Sequence, residues 1–595
     1  MKRLLPLFLF LAACCSVVPP PASPAAPSSA PVSAAAPAPA SPLHVLIVST
    51  TDLHGWYAGH QEGADRTGGL ALFASYVNAL RAANGGRVVV VDSGDLFQGT
   101  LDSNFFEGEP VVKAYSRIGY AAAAVGNHEF DFGPVGPDAM PRNPADDPLG
   151  ALKRNASMAS FPFLSANLSE KATGQTPAWA RRFIMIDSGG ARIGIIGLST
   201  PDTPNVTMPE NVRTLSFGDP VAAAVTAAKD LRAQGADAIV VIGHMGGRCR
   251  NVDGDPADFS SCEPEQEAMR FLHALPAGTI DAYFGGHTHA RMRQLIAGVP
   301  SFQPAPFNEE FATLDLTIDP AAHRVTASTQ RPFTSICASV FSGTEQCDPK
   351  RAPAGSTLVP RQFEGKTIAP DASVAAILQP YIDRVAAKRN EPLGIHSNGV
   401  FTRAYLRESS LGDLLTDAMR SFIGTDIAFF NSGGIRANLR AGDLLYSDLF
   451  EVSPFDNYPT VVTLTGAQIA EALRITGNGE RGILQVSGLK YTIDAARGLD
   501  QPAAQRDRIV SITLPDGRPI DPTATYAVAM PDFLVAGGEG LSDLMKSVPP
   551  ERIRIFGTRP LRELLIESLQ KQKRAIAPLA PDRILILNPR PSSDR

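Results

Sequence analysis

His44-Val45-Leu46-Ile47-Val48-Ser49-Thr50-Thr51-Asp52-Leu53-His54 is the stretch on which the fold turns. An unbroken, largely β-branched run ends at Thr50, and an Asp-x-His follows at once. Such runs predict strands covered on both faces of a sheet. The same pattern recurs downstream, with strands expected at Val88–Val91, Ala121–Val125, Arg192–Leu198, Ala238–Ile242 and Ala282–Phe284. Helical spacing lies between several of them, as in Ala71–Ala82 and Pro220–Arg232. Strands alternating with helices predict an α/β layered fold.

Polar motifs follow these strands in order. After the second comes Asp92-Ser93-Gly94-Asp95, and after the third Gly126-Asn127-His128-Glu129-Phe130-Asp131. After the fifth comes Gly243-His244, and after the sixth Gly285-Gly286-His287-Thr288-His289. Ligand sites in open α/β folds lie at the carboxyl ends of strands. Asp, His and Asn from separate strand ends can converge on a pair of divalent ions, which needs a bridging carboxylate and several N and O donors. Five of the ten histidines sit in these motifs. His44, His60, His273, His323 and His396 have no such context and read as surface or core residues.

Asp-x-His alone is commonplace; five motifs in order are specific. Together they resemble the calcineurin-like metallophosphoesterase signature, D-x-H, GD, GNH-[DE], H and GH-x-H. The resemblance implies a four-layer αββα sandwich and a two-metal centre. It assigns Asp52, His54, Asp95 and His289 to one metal, and Asp95, Asn127, His244 and His287 to the other. Asp95 would be the bridge. His128 would act on the phosphoryl oxygens or the leaving oxygen, with Asp131 orienting its imidazole.

The second half carries Asn431-Ser432-Gly433-Gly434-Ile435-Arg436 after an expected strand Asp426–Phe430, then Pro454-Phe455, Asp532-Phe533 and Gly537-Gly538-Glu539-Gly540. With the first domain, this is similar to the 5′-nucleotidase family, which joins a metallophosphatase domain to a nucleotide-binding α/β domain. The likeness runs from residue 43 to about 590. It implies that Asn431 and Arg436 contact a nucleotide and that Phe455 and Phe533 clamp its base. Ring stacking tolerates any base. Glu539 stands where the family usually has an Asp that accepts from the ribose hydroxyls. Arg403, Arg407 and Arg440 are further candidates for phosphate or ribose, Arg407 foremost; Tyr405 stands where one family arginine would align.

The expected organisation is a signal peptide at 1–13, a tether at 14–42, a metallophosphoesterase domain at 43–365, a connector helix at 366–393 and a substrate-binding domain at 394–590. Leu4–Ala13 is apolar and too short to span a bilayer. Leu11-Ala12-Ala13-Cys14 resembles the bacterial lipoprotein signal, which makes Cys14 the expected lipidation site. Residues 19–42 are almost wholly Pro, Ala and Ser, a composition that cannot build a core. Asp371–Arg389 has apolar residues at helical spacing, and Pro380 is expected to kink or split it. Helices at Leu411–Phe422 and Gly466–Thr476 and strands at Thr460–Thr465 and Ile509–Leu514 complete the expected second domain.

The net charge of -6 gives no reason to expect a nucleic-acid polymer as partner. No further apolar run approaches a membrane span, so lipid chains rather than a helix would hold the protein to a membrane. The remaining cysteines fall into two local pairs, Cys249 with Cys262 and Cys337 with Cys347. In an exported chain these read as disulfides, with a metal site as the rival.

The expected activity is extracytoplasmic removal of phosphate from nucleoside 5′-monophosphates by a metal-activated water, with zinc or manganese as cofactor. The anchor is expected in the outer membrane, on its periplasmic or surface face. Alternatives on the same layout are a 2′,3′-cyclic nucleotide phosphodiesterase or 3′-nucleotidase and a nucleotide-sugar hydrolase. More distant are a sulfur-oxidation hydrolase and a surface binding protein. Oligomeric state is open.

Overall fold

The computed structural model describes residues 41–62 and 65–589. The expected signal peptide, Cys14 and all but the last two residues of the tether lie outside the described residues. Among the described residues no helix is long and apolar enough to cross a membrane.

The opening run forms the strand Leu43–Thr50, paired in parallel with Val88–Asp92 and antiparallel with Glu310–Asp319. These strands belong to an eight-stranded sheet that continues through Ala122–Ala124, Phe163–Leu164 and Ala180–Arg181. A six-stranded sheet holds Ala191–Ser199, Ala238–His244 and Ala282–Gly285 in parallel, with antiparallel edges. Alternation along each strand explains the unbroken apolar runs. Val45, Ile47, Val89 and Val91 face Ile193, Ile195, Val240 and Ile242 between the sheets. Leu46, Val48, Val88 and Val90 point the other way, under the helices Leu70–Ala83 and Glu109–Ile118. The helices Pro220–Ala233 and Glu267–Ala274 cover the outer face of the second sheet through Ala224, Ala227, Leu231, Met269 and Leu272. The order of layers is therefore αββα.

The second domain is built on a mixed five-stranded sheet, in the order Leu484–Ser487, Ile427–Asn431, Thr525–Pro531, Pro459–Thr465 and Ile553–Ile555. Helices Ser410–Ile423 and Leu561–Lys571 pack on one face, and Gly466–Thr476 packs on the other. Local signals set the helix starts. Ser409 caps one helix by accepting from Gly412 N–H, and Thr465 with Gln468 forms a capping box on another. The expected strand Ile509–Leu514 is Ile509–Thr513, in a separate three-stranded sheet.

One of the two outcomes expected at Pro380 is corrected. Pro380 does not split the connector, which runs as a single helix from Ala372 to Arg389. Pro380 and Ala376 are both exposed, so water can satisfy the carbonyl that proline leaves unpaired. Buried Val374 and Leu378 press the helix onto the first domain, and Tyr381 OH donates to Glu109 Oε1 at 2.6 Å.

Cys249–Cys262 and Cys337–Cys347 are disulfides closing short local loops. Bridges of this loop length stabilise by about 3 kcal/mol each in the chain-entropy view.

Candidate active site

The ends of the first-domain strands converge. Asp52, His54 and His289 form one group of mutually close ligand atoms, and Asp95, His244 and His287 form a second. Five of these six adopt left-handed backbone: Asp52 at φ 51°, His54 at 48°, Asp95 at 61°, His287 at 78° and His289 at 51°. Non-glycine residues rarely adopt this region, and persist there only where their surroundings over-determine them. Asp52 Oδ1 accepts from His287 N–H at 2.8 Å, and His54 N–H donates to Asp95 O at 2.9 Å, so the strand-end loops lock one another.

The donor set suits cations. His54 Nδ1 lies 2.7 Å from Gln98 O and His244 Nδ1 lies 2.8 Å from Ser93 O, so these bonds place the ring protons outward. Both Nε2 lone pairs then face Asp95 Oδ2, at 3.6 Å from His54 and 3.0 Å from His244. Asn127 donates its amide to Val206 O at 3.1 Å, which leaves its Oδ1 3.2 Å from His244 Nε2. Acceptors converging without a proton between them are what a divalent ion requires, with outer hydrogen bonds fixing each ligand. The field favours positive charge at this point, a proton on His244 where no ion is bound. Burial opposes charge on His244, yet the Asp95, Asp52 and Glu129 carboxylates push its pKa up to about 10. Burial would raise the Asp95 carboxyl, but the His244 and His128 imidazoles hold it well below the usual carboxylate range.

His128 lies outside both groups. Its Nδ1 is 2.5 Å from Asp131 Oδ2, and Asp131 Oδ1 accepts from Thr207 Oγ1 at 2.7 Å. Its backbone N–H donates to Asp95 Oδ1 at 2.9 Å.

The second domain closes over this centre. A cleft of about 1890 Å³ is lined by Asp95, Asn127, His128, His287 and His289 from one side and by Arg407, Asn431, Arg436, Phe455, Phe533 and Glu539 from the other. Arg436 is half-buried and donates to His54 Nε2 at 3.1 Å. The Phe455 ring lies 5.7 Å from the His128 ring. Asn431 Nδ2 donates to Glu539 Oε1 at 3.1 Å, and burial pushes the Glu539 carboxyl up to about 7. Phe533 packs over Gly538 so closely that a Cβ there would sit 2.3 Å from the ring. Arg407 is exposed on the cleft wall. Arg403 is half-buried, and burial together with Arg436 brings its pKa down to about 10. Arg440 is held elsewhere, by Asp448 at 2.8 Å and Asp443 O at 2.6 Å.

The sequence matches the calcineurin-like phosphoesterase family over residues 45–291 and the 5′-nucleotidase C-terminal domain over residues 385–546. The chain belongs to the 5′-nucleotidase family. As a member it is a metal-dependent phosphoester hydrolase, and its two ligand groups imply divalent metals. A 5′-nucleotidase of Vibrio cholerae is 28% identical over 519 residues, 83% of this chain and 85% of that one. The 5′-nucleotidase precursor of Thermus thermophilus superposes with a TM-score of 0.71 at 26% identity, covering 92% of this chain and all of that one. The sulfate thiohydrolase SoxB of the same organism shares the fold at 17% identity, with a TM-score of 0.67 over 92% of this chain and 97% of its own.

Three residues that position this 5′-nucleotidase-family site had no reading in the sequence. Glu129 accepts from Asp95 N–H at 2.9 Å, Leu96 N–H at 2.7 Å and Gly126 N–H at 2.7 Å, and so shapes the loop that presents Asp95. Its place beside His128 in Gly126-Asn127-His128-Glu129 was the available signal. Asp92 ends its strand by accepting from Thr50 Oγ1 at 2.6 Å and Tyr115 OH at 2.9 Å. Thr207 sits far from any motif, and nothing in the sequence marks it.

Proposed function

We propose that this chain hydrolyses nucleoside 5′-monophosphates to nucleoside and phosphate, with residues 43–365 holding the metals and 394–590 reading the nucleoside. The observation that carries this reading is the shared cleft, which sets Asn431, Arg436, Phe455, Phe533 and Glu539 opposite the Asp/His centre with His128 between. Asp52, His54, Asp95 and His289 would hold one ion, and Asp95, Asn127, His244 and His287 the other. Their N and O donors suit zinc or manganese. Two bound ions would supply a water of lowered pKa and neutralise phosphoryl charge.

The remaining steps belong to side chains of this chain. Arg436 sits where it can bind a phosphoryl oxygen. His128, oriented by Asp131, can place a proton on the leaving ribose oxygen. Phe455 and Phe533 hold the base, Asn431 and Glu539 the sugar, and Arg407 contributes at the cleft wall. Positioning of this kind accounts for much of the acceleration in phosphoryl transfer.

Phosphate release from AMP, compared with 3′-AMP, UDP-glucose and 2′,3′-cyclic AMP, tests the reading, and AMP should be turned over fastest. Phe455→Ala should lower kcat/KM for AMP by about 10-fold, since base stacking contributes about 1–3 kcal/mol. The same variant should leave p-nitrophenyl phosphate, which has no base to clamp, within twofold; equal loss on both esters would count against a base contact. Glu539 supplies a pH prediction. With its carboxyl near 7, it is neutral below that pH and accepts fewer bonds from sugar hydroxyls. KM for AMP should therefore rise as pH falls from 8 to 6, and Glu539→Gln should flatten that rise.

One observation favours a second reading. The cleft, at about 1890 Å³, exceeds the roughly 300–1,000 Å³ typical of small-ligand pockets. It leaves room for a cyclic nucleotide or a nucleotide sugar, and Glu539 in place of Asp is compatible with either. We place the protein outside the cytoplasm, lipid-anchored at Cys14, in the outer membrane. The Leu11-Ala12-Ala13-Cys14 run supports the anchor, and the two disulfides support an oxidising compartment.

A further inference from the structure

The segment Thr200–Thr207 touches three parts of the site at once. Thr207 Oγ1 donates to Asp131 Oδ1 at 2.7 Å, on the carboxylate whose other oxygen holds His128 Nδ1. Val206 O accepts from Asn127 Nδ2 at 3.1 Å and so turns the Asn127 carbonyl toward His244. Asp202 Oδ1 forms an ion pair with Arg481 of the second domain. Arg481 in turn flanks the loop that carries Glu539: a Cβ on Gly540 would lie 3.1 Å from its Nη1. Burial opposes the charge of Arg481, and Asp202 and Glu539 outweigh it.

The segment has little freedom of its own. Asn205 Nδ2 donates to Asp202 Oδ1 at 2.7 Å, Asp202 N–H donates to Thr200 Oγ1 at 3.1 Å, and Thr200 Oγ1 donates to Glu267 Oε1 at 2.8 Å. These bonds tie Asp202 into the same short segment that carries Val206 and Thr207. A short-range ion pair between domains exists only when they are docked, so Arg481 reports docking of the sugar-reading loop to the groups that orient Asn127 and His128.

We propose that Asp202 and Arg481 are a closure-dependent positioning pair. They align Asn127 and the His128–Asp131 dyad when the Glu539 loop engages a substrate sugar. Both residues line the cleft but belong to neither ligand group, and Thr207 is the element that hands the alignment to Asp131. This inference rests on the nucleotide-hydrolase reading above.

The test is a double-mutant cycle of Asp202→Asn and Arg481→Met in the full chain with manganese, read on AMP and on p-nitrophenyl phosphate. The second ester has no sugar with which to engage the loop. Each single variant should lose about 10-fold in kcat on AMP with KM changed less than threefold, because small misplacements of catalytic groups are costly. On p-nitrophenyl phosphate both should stay within twofold of wild type. The double variant should be no worse than either single, since each removes the same coupling. Asp202→Glu should recover part of the loss. Thr207→Val should lower kcat on both esters, because it acts on Asp131 directly. Unchanged AMP turnover in Asp202→Asn, equal loss on both esters, or additive losses in the double variant would overturn the pair. A wild-type chain inert toward AMP would instead overturn the nucleotidase reading; the cycle then runs on 2′,3′-cyclic AMP or UDP-glucose by the same criteria.

Discussion

Asp95→Asn should lower kcat/KM for AMP by about 10³-fold and reduce bound divalent metal to below one ion per chain. Asp95 Oδ2 is the carboxylate oxygen that faces both His54 Nε2, at 3.6 Å, and His244 Nε2, at 3.0 Å. It thus lies between the two ligand groups, and an amide there offers a neutral oxygen or a donor that repels a cation. Metal ions supply several kcal/mol of charge stabilisation in such sites, and about 1.36 kcal/mol corresponds to each factor of ten. The fold should survive, because Glu129 continues to hold the Asp95 and Leu96 amides. Elemental analysis of the purified variant together with phosphate release measures both effects. A variant that keeps two ions and half its activity would rule out a bridging role.

His128→Ala separates chemistry from metal binding. His128 belongs to neither ligand group, and its imidazole is tied to Asp131 at 2.5 Å. General acid–base groups contribute about 10²–10⁴-fold. The expected result is a fall in kcat within that range, with metal content unchanged and KM for AMP changed little. Asp131→Asn should move kcat the same way by a smaller amount, about 10–100-fold, as the loss of an orienting partner does in metal sites. Loss of metal in His128→Ala would place the residue among the ligands instead.

Much of the first domain was legible because the physics was local. Strands buried on both faces must be apolar throughout, so His44–Thr50 and Ala238–Ile242 announced themselves, and polar residues directly after such strands mark their carboxyl ends. The left-handed backbone at Asp52, His54, Asp95, His287 and His289 was not legible. None of these is glycine, and their conformation is set by hydrogen bonds between loops distant in sequence, such as Asp52 to His287. The split expected at Pro380 did not occur, for a related reason. Its expected effect on the helix is local, while its actual tolerance depends on which face the tertiary packing leaves to water. Asp202, Thr207 and Arg481 carry no motif at all. Their roles exist only once two domains share a cleft, and short polar residues in loops are the least distinctive signal a sequence offers. The proposed base clamp lies between. Phe455 and Phe533 stood out only beside the glycine-rich loops, and their separation from the metal centre became readable only with both domains in place.

The central proposal is that a two-metal phosphoester centre and a nucleoside-reading domain act on one substrate in one cleft. The most direct measurement is phosphate release from AMP by the full chain, with manganese or zinc added back after chelation and His128→Ala alongside. The expected result is no turnover in the chelated protein, recovery on metal addition, and faster release from AMP than from 3′-AMP, UDP-glucose or 2′,3′-cyclic AMP. Turnover by the variant should be lower by the same 10²–10⁴-fold expected for a lost acid–base group. Metal-dependent hydrolysis of p-nitrophenyl phosphate with no activity on any of the four nucleotides would contradict it.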